Sequence, residues 1–134
     1  MFGKPVKILC VDYDPYILET LQRFFRKDGF EVLTAGSAEE GMEIFRRCTP
    51  IQIVIADFSM SGMNGIDFLR LVKRDSPETV TILISGHAVP AAVSSAFDGR
   101  LVFRYLPKPW ARAELRKTIA EALDLLGPCK NQEV

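Results

Sequence analysis

The chain has 134 residues, of which 48% are hydrophobic, and this is enough material for one domain with a buried core. Its 17 basic and 17 acidic residues cancel, which argues against a general electrostatic attraction to nucleic acid or anionic lipid. No run of apolar residues approaches the roughly 18 that a membrane span needs, and residues 1–7 lack the apolar core of an export signal. We therefore expect no membrane partner and no direct binding of nucleic acid by this chain.

The three cysteines give no sign of a metal site or a disulfide scaffold. Cys10, Cys48 and Cys129 are odd in number and widely spaced, without the close pairs of zinc sites or the density of disulfide-rich domains. We interpret them as reduced thiols and expect a cytoplasmic protein.

The first half of the chain alternates short apolar runs with stretches of helical periodicity. Residues 6–11 form a nearly continuous apolar run, which is typical of a strand buried on both faces. Asp14 can cap the helix that follows, Pro15 suits its first turn, and Gly29 can end it. A second strand is predicted at residues 30–35.

The same alternation continues to the end of the chain. Ser37 has the spacing of a capping box with Glu40 and opens a helix to about Arg47. Further strands are predicted at residues 51–56, 79–84 and 101–106, and further helices at residues 66–74, within 90–97, and after Pro109 up to the stop at residues 127–128. Five strands alternating with five helices predict an α/β fold with a doubly wound parallel sheet.

Polar side chains follow four of the predicted strands at the ends of the same polarity. They are Asp12, Asp14, Asp57, Ser85 and Lys108. Singly, each has an ordinary structural role as a helix cap, a turn residue or a surface charge. Together they would converge on one crevice outside the carboxyl ends of the strands, where open α/β sheets bind ligands. An aspartate beside a divalent cation and an ammonium group can accept a phosphoryl group, because both cations neutralise charge on the phosphoryl oxygens.

Four ordered motifs carry a resemblance to a known family. They are Val11-Asp12, Asp57-Phe58-Ser59-Met60 with Gly65, Ile84-Ser85-Gly86, and Tyr105-Leu106-Pro107-Lys108-Pro109. No single motif is specific, but their order and spacing together resemble the response-regulator receiver domain over residues 5–126. The resemblance implies a flavodoxin-like three-layer sandwich with strand order 2-1-3-4-5, a receiver domain over residues 1–128, and a polar tail or the start of a linker at residues 129–134.

The resemblance also implies the chemistry of the site. Asp57 would take a phosphoryl group from a histidine kinase or a phosphotransfer protein and form an acyl phosphate with the help of Mg²⁺. Asp12, Asp57 and the backbone carbonyl of Ser59 would hold the metal, and Asp14 is a further candidate ligand. Lys108 would contact the phosphoryl group.

A switch is implied by the same resemblance. The hydroxyl of Ser85 would move toward the phosphoryl oxygens, and the ring of Tyr105 would swing inward behind it. The surface that changes would be the fourth predicted helix, the fifth strand and the fifth helix, about residues 88–116, which would bind an output domain, a downstream protein or a second copy of the chain. The bond between Lys108 and Pro109 is expected to be cis.

The sequence departs from the family pattern at the metal site. Tyr13 stands where the second of two adjacent acids is usual, and a phenol is a poor ligand for a hard cation, so Mg²⁺ binding is expected to be weakened or uncertain. His87 has two interpretations, either a modulator of dephosphorylation or an exposed loop residue. Trp110 has two as well, with core packing favoured over a partner surface.

Three functions remain open from the sequence. The first is a phosphorylatable receiver, a signalling domain whose only chemistry is its own phosphorylation and dephosphorylation. The second is a pseudo-receiver, an interaction module that keeps the fold but works without phosphate. The third, a haloacid-dehalogenase-like enzyme, is suggested by Asp12-Tyr13-Asp14 after a strand, but it leaves the Asp57 loop and the Tyr105 to Pro109 run unexplained.

Overall fold

The computed structural model describes residues 5–86 and 101–126. Within them are five strands and four helices, named here in chain order: β1 Lys7–Val11, α1 Pro15–Arg26, β2 Glu31–Ala35, α2 Ala38–Arg47, β3 Ile53–Asp57, α3 Gly65–Asp75, β4 Val80–Ser85, β5 Arg104–Pro107 and α4 Arg112–Leu126. The helix predicted within residues 90–97, His87, Cys129 and the predicted tail lie outside the described residues.

The five strands form one parallel sheet in the order β2-β1-β3-β4-β5. This confirms the predicted doubly wound α/β fold and its strand order. In the register of the sheet, Asp57 pairs with Ile84 and Ser85 pairs with Pro107. The carboxyl ends of the central strands therefore meet at one edge.

The starts of the first two helices follow from their caps. The Asp14 side chain accepts a hydrogen bond from the Tyr16 N–H at 3.0 Å, and the Ser37 hydroxyl accepts one from the Glu40 N–H at 3.1 Å. The Glu40 carboxylate bonds the N–H of Gly36 at 2.8 Å, one residue before the position expected in a capping box. Both predicted helix starts are confirmed.

The fifth strand is displaced from its predicted position at residues 101–106. The regular ladder with β4 begins only at Arg104, although Phe103 N–H donates to the Thr81 carbonyl at 2.8 Å. The Thr81 hydroxyl donates to the carbonyl of Leu101. The buried side chain of Val102 explains the apolar run, which reflects core packing ahead of the strand and not strand pairing.

Alternation along the strands divides the core between the two faces of the sheet. Leu9 and Val11 of β1 pack on the face covered by α2 and α3, whereas Ile8 and Cys10 pack on the face covered by α1 and α4. Burial, and secondarily the charge of Asp12, raises the pKa of the Cys10 thiol, so this cysteine is an inert core residue. Of the helices in the described parts of the chain, none is both long and apolar enough to cross a membrane.

Candidate functional site

Four strand ends place the predicted polar residues together. Asp12 directly follows β1, Asp57 ends β3, Ser85 ends β4, and Lys108 directly follows β5. The Lys108 N–H donates to the Ser85 carbonyl at 2.8 Å, which fixes the start of the Lys108 side chain at the edge of the sheet. The crevice predicted from the sequence is therefore formed by these residues.

The Lys108 ammonium lies between two carboxylates. Its Nζ is 2.7 Å from Asp12 Oδ2 and 3.3 Å from Asp57 Oδ1. Asp12 is fully buried and Asp57 is 2% exposed, whereas the Lys108 side chain is 19% exposed. One cation thus partly compensates two carboxylates that have lost nearly all their contact with water.

Asp12 has one oxygen engaged by the backbone and one that is not. Its Oδ1 accepts a hydrogen bond from the Asp14 N–H at 2.9 Å. Its Oδ2 is buried and, among residues 5–86 and 101–126, makes only the ion-pair contact with Lys108 and no hydrogen bond of regular geometry. A buried carboxylate oxygen in this condition retains the capacity to accept a proton donor or to bind a cation.

The environment of the crevice shifts the pKa values of Asp57 and Lys108. Burial raises the pKa of Asp57, and the negative charge of Asp12 raises it further, although Lys108 and the backbone of Ser59 oppose both effects. Burial is the largest single influence on Lys108 and lowers its pKa, but Asp12 and Asp57 together outweigh it and the pKa is raised. Lys108 is therefore held in its charged form between the two acids.

The crevice contains carboxylates of the kind that bind Mg²⁺. Asp12 and Asp57 are two close carboxylates, and Mg²⁺ is commonly bound by one or two carboxylates with waters and phosphate oxygens completing its shell. Asp14 is occupied as the cap of α1, and the Tyr13 side chain is 63% exposed. The part of the chain that the structure describes contains no group of three acidic, histidine or cysteine side chains arranged for a metal.

Gly65 is a site residue whose role the sequence did not reveal. A Cβ atom at this position would lie 2.3 Å from the Asp57 carbonyl oxygen and 3.0 Å from a methyl group of Leu83. The Gly65 N–H donates to the Phe58 carbonyl at 3.0 Å. The start of α3 can lie against the end of β3 only because residue 65 has no side chain. A glycine directly after the capping Asn64 was the available signal.

The proposed switch residues lie on neighbouring strands, with Ser85 at the end of β4 and Tyr105 paired with Leu83 inside β5. Ser85 is buried, and Tyr105 is half-buried against the part of the core covered by α2 and α3. The bond between Lys108 and Pro109 is cis, as expected. Trp110 is half-buried against the core on the side of α1 and α4.

Comparison with known proteins shows the family of this chain. The family model described as "Response regulator receiver domain" matches residues 8–120. The transcriptional regulatory protein GlrR of Escherichia coli is 31% identical over 98% of this chain and 29% of its own length. The chain spans less than a third of the first curated relatives it matches.

Solved structures share the fold. A response regulator receiver domain protein from Clostridium thermocellum has a TM-score of 0.81 and 35% identity, covering 89% of this chain and 94% of that chain. The response regulator TrrA of Thermotoga maritima, solved in complex with Mg²⁺ and BeF, has a TM-score of 0.76 and 24% identity over 87% of this chain and 98% of that one. The chain belongs to the response-regulator receiver domains of two-component signalling systems.

Proposed function

We propose that this receiver domain accepts a phosphoryl group on Asp57 from a histidine kinase or a phosphotransfer protein. The observation that carries the proposal is the ammonium of Lys108, held 3.3 Å from Asp57 and 2.7 Å from Asp12 at the open edge of the sheet. Placed there, a fixed cation can neutralise charge that develops on a transferred phosphoryl group.

In the proposed reaction, a carboxylate oxygen of Asp57 attacks the phosphorus in line with the bond to the donor histidine. The new O–P bond makes an acyl phosphate, the P–N bond breaks, and its electron pair remains on the imidazole. Lys108 keeps its positive charge throughout, because its pKa is raised by the acids around it. Receiver domains generally bind Mg²⁺, and in this chain Asp12, Asp57 and the Ser59 carbonyl would hold it, where it would neutralise phosphoryl charge.

Phosphorylation would act through Ser85 and Tyr105. The proposed output surface is about residues 88–116, which an output domain, a downstream protein or a second copy of the chain would bind. Domain limits of 1–128, with a tail or linker from residue 129, and a cytoplasmic location belong to the same proposal. His87 is proposed to modulate dephosphorylation, and Asp14 is the least favoured metal ligand since its side chain caps α1.

The alternative is a pseudo-receiver that binds partners without phosphate. It is favoured by Tyr13, which stands in place of an acid and points its ring largely into solvent. With only two carboxylates at the crevice, Mg²⁺ affinity would fall below what phosphorylation requires.

Intact mass after incubation with acetyl phosphate, with and without Mg²⁺, separates the two functions. We expect a Mg²⁺-dependent phosphoryl adduct on the wild-type protein, none on Asp57→Asn, and an unaffected adduct on the exposed-surface control Asp67→Asn. Tyr13→Asp should lower the Mg²⁺ concentration needed for half-maximal adduct about tenfold, equivalent to about 1.4 kcal/mol. An adduct absent from wild type but present in Tyr13→Asp would establish the pseudo-receiver. An adduct that persists in Asp57→Asn would contradict the assignment of Asp57.

A further inference from the structure

A groove between α1 and α4 lies apart from the proposed phosphorylation site and is rich in cations. Its volume is about 140 Å³, and its lining includes four cationic and two aromatic side chains, Arg23, Lys27, Arg112, Arg116, Phe24 and Trp110. Because the whole chain carries no formal net charge, this is a local excess of positive charge.

The positive charge of the groove is poorly compensated. Within residues 5–86 and 101–126, Asp28 is the one carboxylate in the lining, and it lies 3.5 Å from Arg116. In the residues the structure describes, Lys27 and Arg112 have no acidic side chain within ion-pair distance. Arg23 is paired with Glu19 at 3.3 Å, but both side chains are well exposed, and such pairs contribute little.

An apolar pocket continues from the cationic groove. It has a volume of about 150 Å³, shares Phe24, Asp28 and Arg116 with the groove, and is otherwise lined mainly by apolar side chains such as Ile119 and Leu123. The Arg116 guanidinium lies 5.1 Å from the centre of the Phe24 ring. Both residues line the cationic groove and the apolar pocket, so the two cavities meet there. A ligand that fills both must carry negative charge beside an apolar group.

We propose that this groove binds an acidic segment of a partner protein, with carboxylates against Lys27 and Arg112 and one apolar side chain in the pocket beside Phe24. Peptide segments combine these two features within a few residues. Nucleic acid presents phosphates without an aliphatic side chain, and it is bound by extended basic surfaces, which a neutral chain with one short cationic groove does not provide. The inference does not depend on phosphorylation of Asp57.

Trp110 provides a fluorescence signal for ligand binding in the groove. It is the only tryptophan in the chain, so its fluorescence reports directly on ligands in the groove. The test titrates the full chain with an eight-residue synthetic peptide containing three Glu and one Leu, and with two matched peptides in which the Glu residues become Gln or the Leu becomes Ala. A single-stranded oligonucleotide and phosphatidylglycerol vesicles serve as the phosphate-bearing probes.

The double variant Lys27→Gln/Arg112→Gln removes the two groove cations that have no ion pair within the described part of the chain. We expect this variant to bind the acidic peptide about tenfold more weakly than wild type, equivalent to about 1.4 kcal/mol. We also expect the wild-type protein to bind both matched peptides more weakly than the acidic one. The control Arg47→Gln/Arg70→Gln removes the same charge from exposed positions on α2 and α3 and should change binding less than twofold. Equal weakening by the control, equal binding of the Gln peptide, no binding at millimolar peptide, or tighter binding of a phosphate-bearing probe would each overturn the proposal.

Discussion

The crevice at the strand ends and the groove between α1 and α4 both concentrate charge, but they do so in opposite ways. In the crevice, two nearly fully buried carboxylates share the ammonium of Lys108. In the groove the cations are exposed, and their two carboxylate partners in the described part of the chain, Asp28 and Glu19, are exposed as well.

The difference in hydration suits the two roles proposed here, chemistry for the buried charges and recognition for the exposed ones. Loss of hydration makes the position of each buried charge energetically important. Burial raises the pKa of Asp57, and the two neighbouring carboxylates raise the pKa of Lys108 against the opposing effect of burial. Exposed cations remain hydrated and are screened by salt, so they attract a partner without constraining the fold. The crevice should therefore be sensitive to single substitutions and the groove should tolerate them.

Among substitutions in the crevice, Gly65→Ala should cause the largest loss of unfolding free energy. The added methyl group would overlap the Asp57 carbonyl oxygen, and the backbone must shift to accommodate it, at a cost of about 3 kcal/mol of unfolding free energy. Denaturant unfolding measures this loss. Gly36→Ala is the control, because its Cβ would meet only the Glu40 carboxylate at 3.6 Å and should cost less than about 1 kcal/mol. Equal losses for the two variants would show that the close approach at Gly65 carries no special energy.

Lys108→Met should cause the next largest loss of stability. It leaves the carboxylates of Asp12 and Asp57 facing each other without a cation, and we expect a loss of about 2 kcal/mol at neutral pH. This is below the cost of breaking a fully buried pair, since the Lys108 side chain is 19% exposed. Lys27→Met removes a cation from the groove and should change stability by less than about 0.5 kcal/mol. Thermal unfolding at neutral pH compares them, and a larger loss for Lys27→Met would reverse the contrast between the two regions.

The sequence predicted the fold well because the strands are strongly patterned. Buried runs such as Ile53–Asp57 and Val80–Ser85 are continuous, and the caps Asp14 and Ser37 mark the helix starts. The predicted residues Asp12, Asp57, Ser85 and Lys108 do meet at one edge of the sheet. Their roles in phosphoryl transfer remain predictions.

Features that depend on tertiary distance were not predictable. Nothing in the sequence says that Gly65 lies against the Asp57 carbonyl. The sequence offered Asp14 both as a helix cap and as a metal ligand, and only the hydrogen bond to Tyr16 N–H shows that the side chain caps α1. The spacing of four residues between Arg23 and Lys27 shows that they share a face of α1. Only the packing of α1 against α4 shows that they face Arg112.

The smallest predicted effect on the unfolding free energy is that of removing the charge of a single carboxylate, Asp57 in the crevice or Asp28 in the groove. Because burial and Asp12 raise the pKa of Asp57 in the folded state, the folded protein holds a proton there at pH values where the unfolded chain has lost it. The unfolding free energy therefore falls as pH rises through the window above the ordinary aspartate pKa. Asp57→Asn, which carries no charge, should be more stable than wild type at neutral pH by about 1 kcal/mol, and this difference should shrink toward zero as acid protonates Asp57 in both states.

Asp28→Asn is the matched control for this measurement, since the exposed Asp28 carboxylate faces Arg116 at 3.5 Å and its removal should change stability by less than about 0.5 kcal/mol. Urea unfolding of the three proteins between acid and neutral pH gives the comparison. If Asp57→Asn were less stable than wild type at neutral pH, the attraction of Lys108 would outweigh burial and the repulsion by Asp12. The crevice would then be a stabilising ion pair, and the energetic contrast with the groove would disappear.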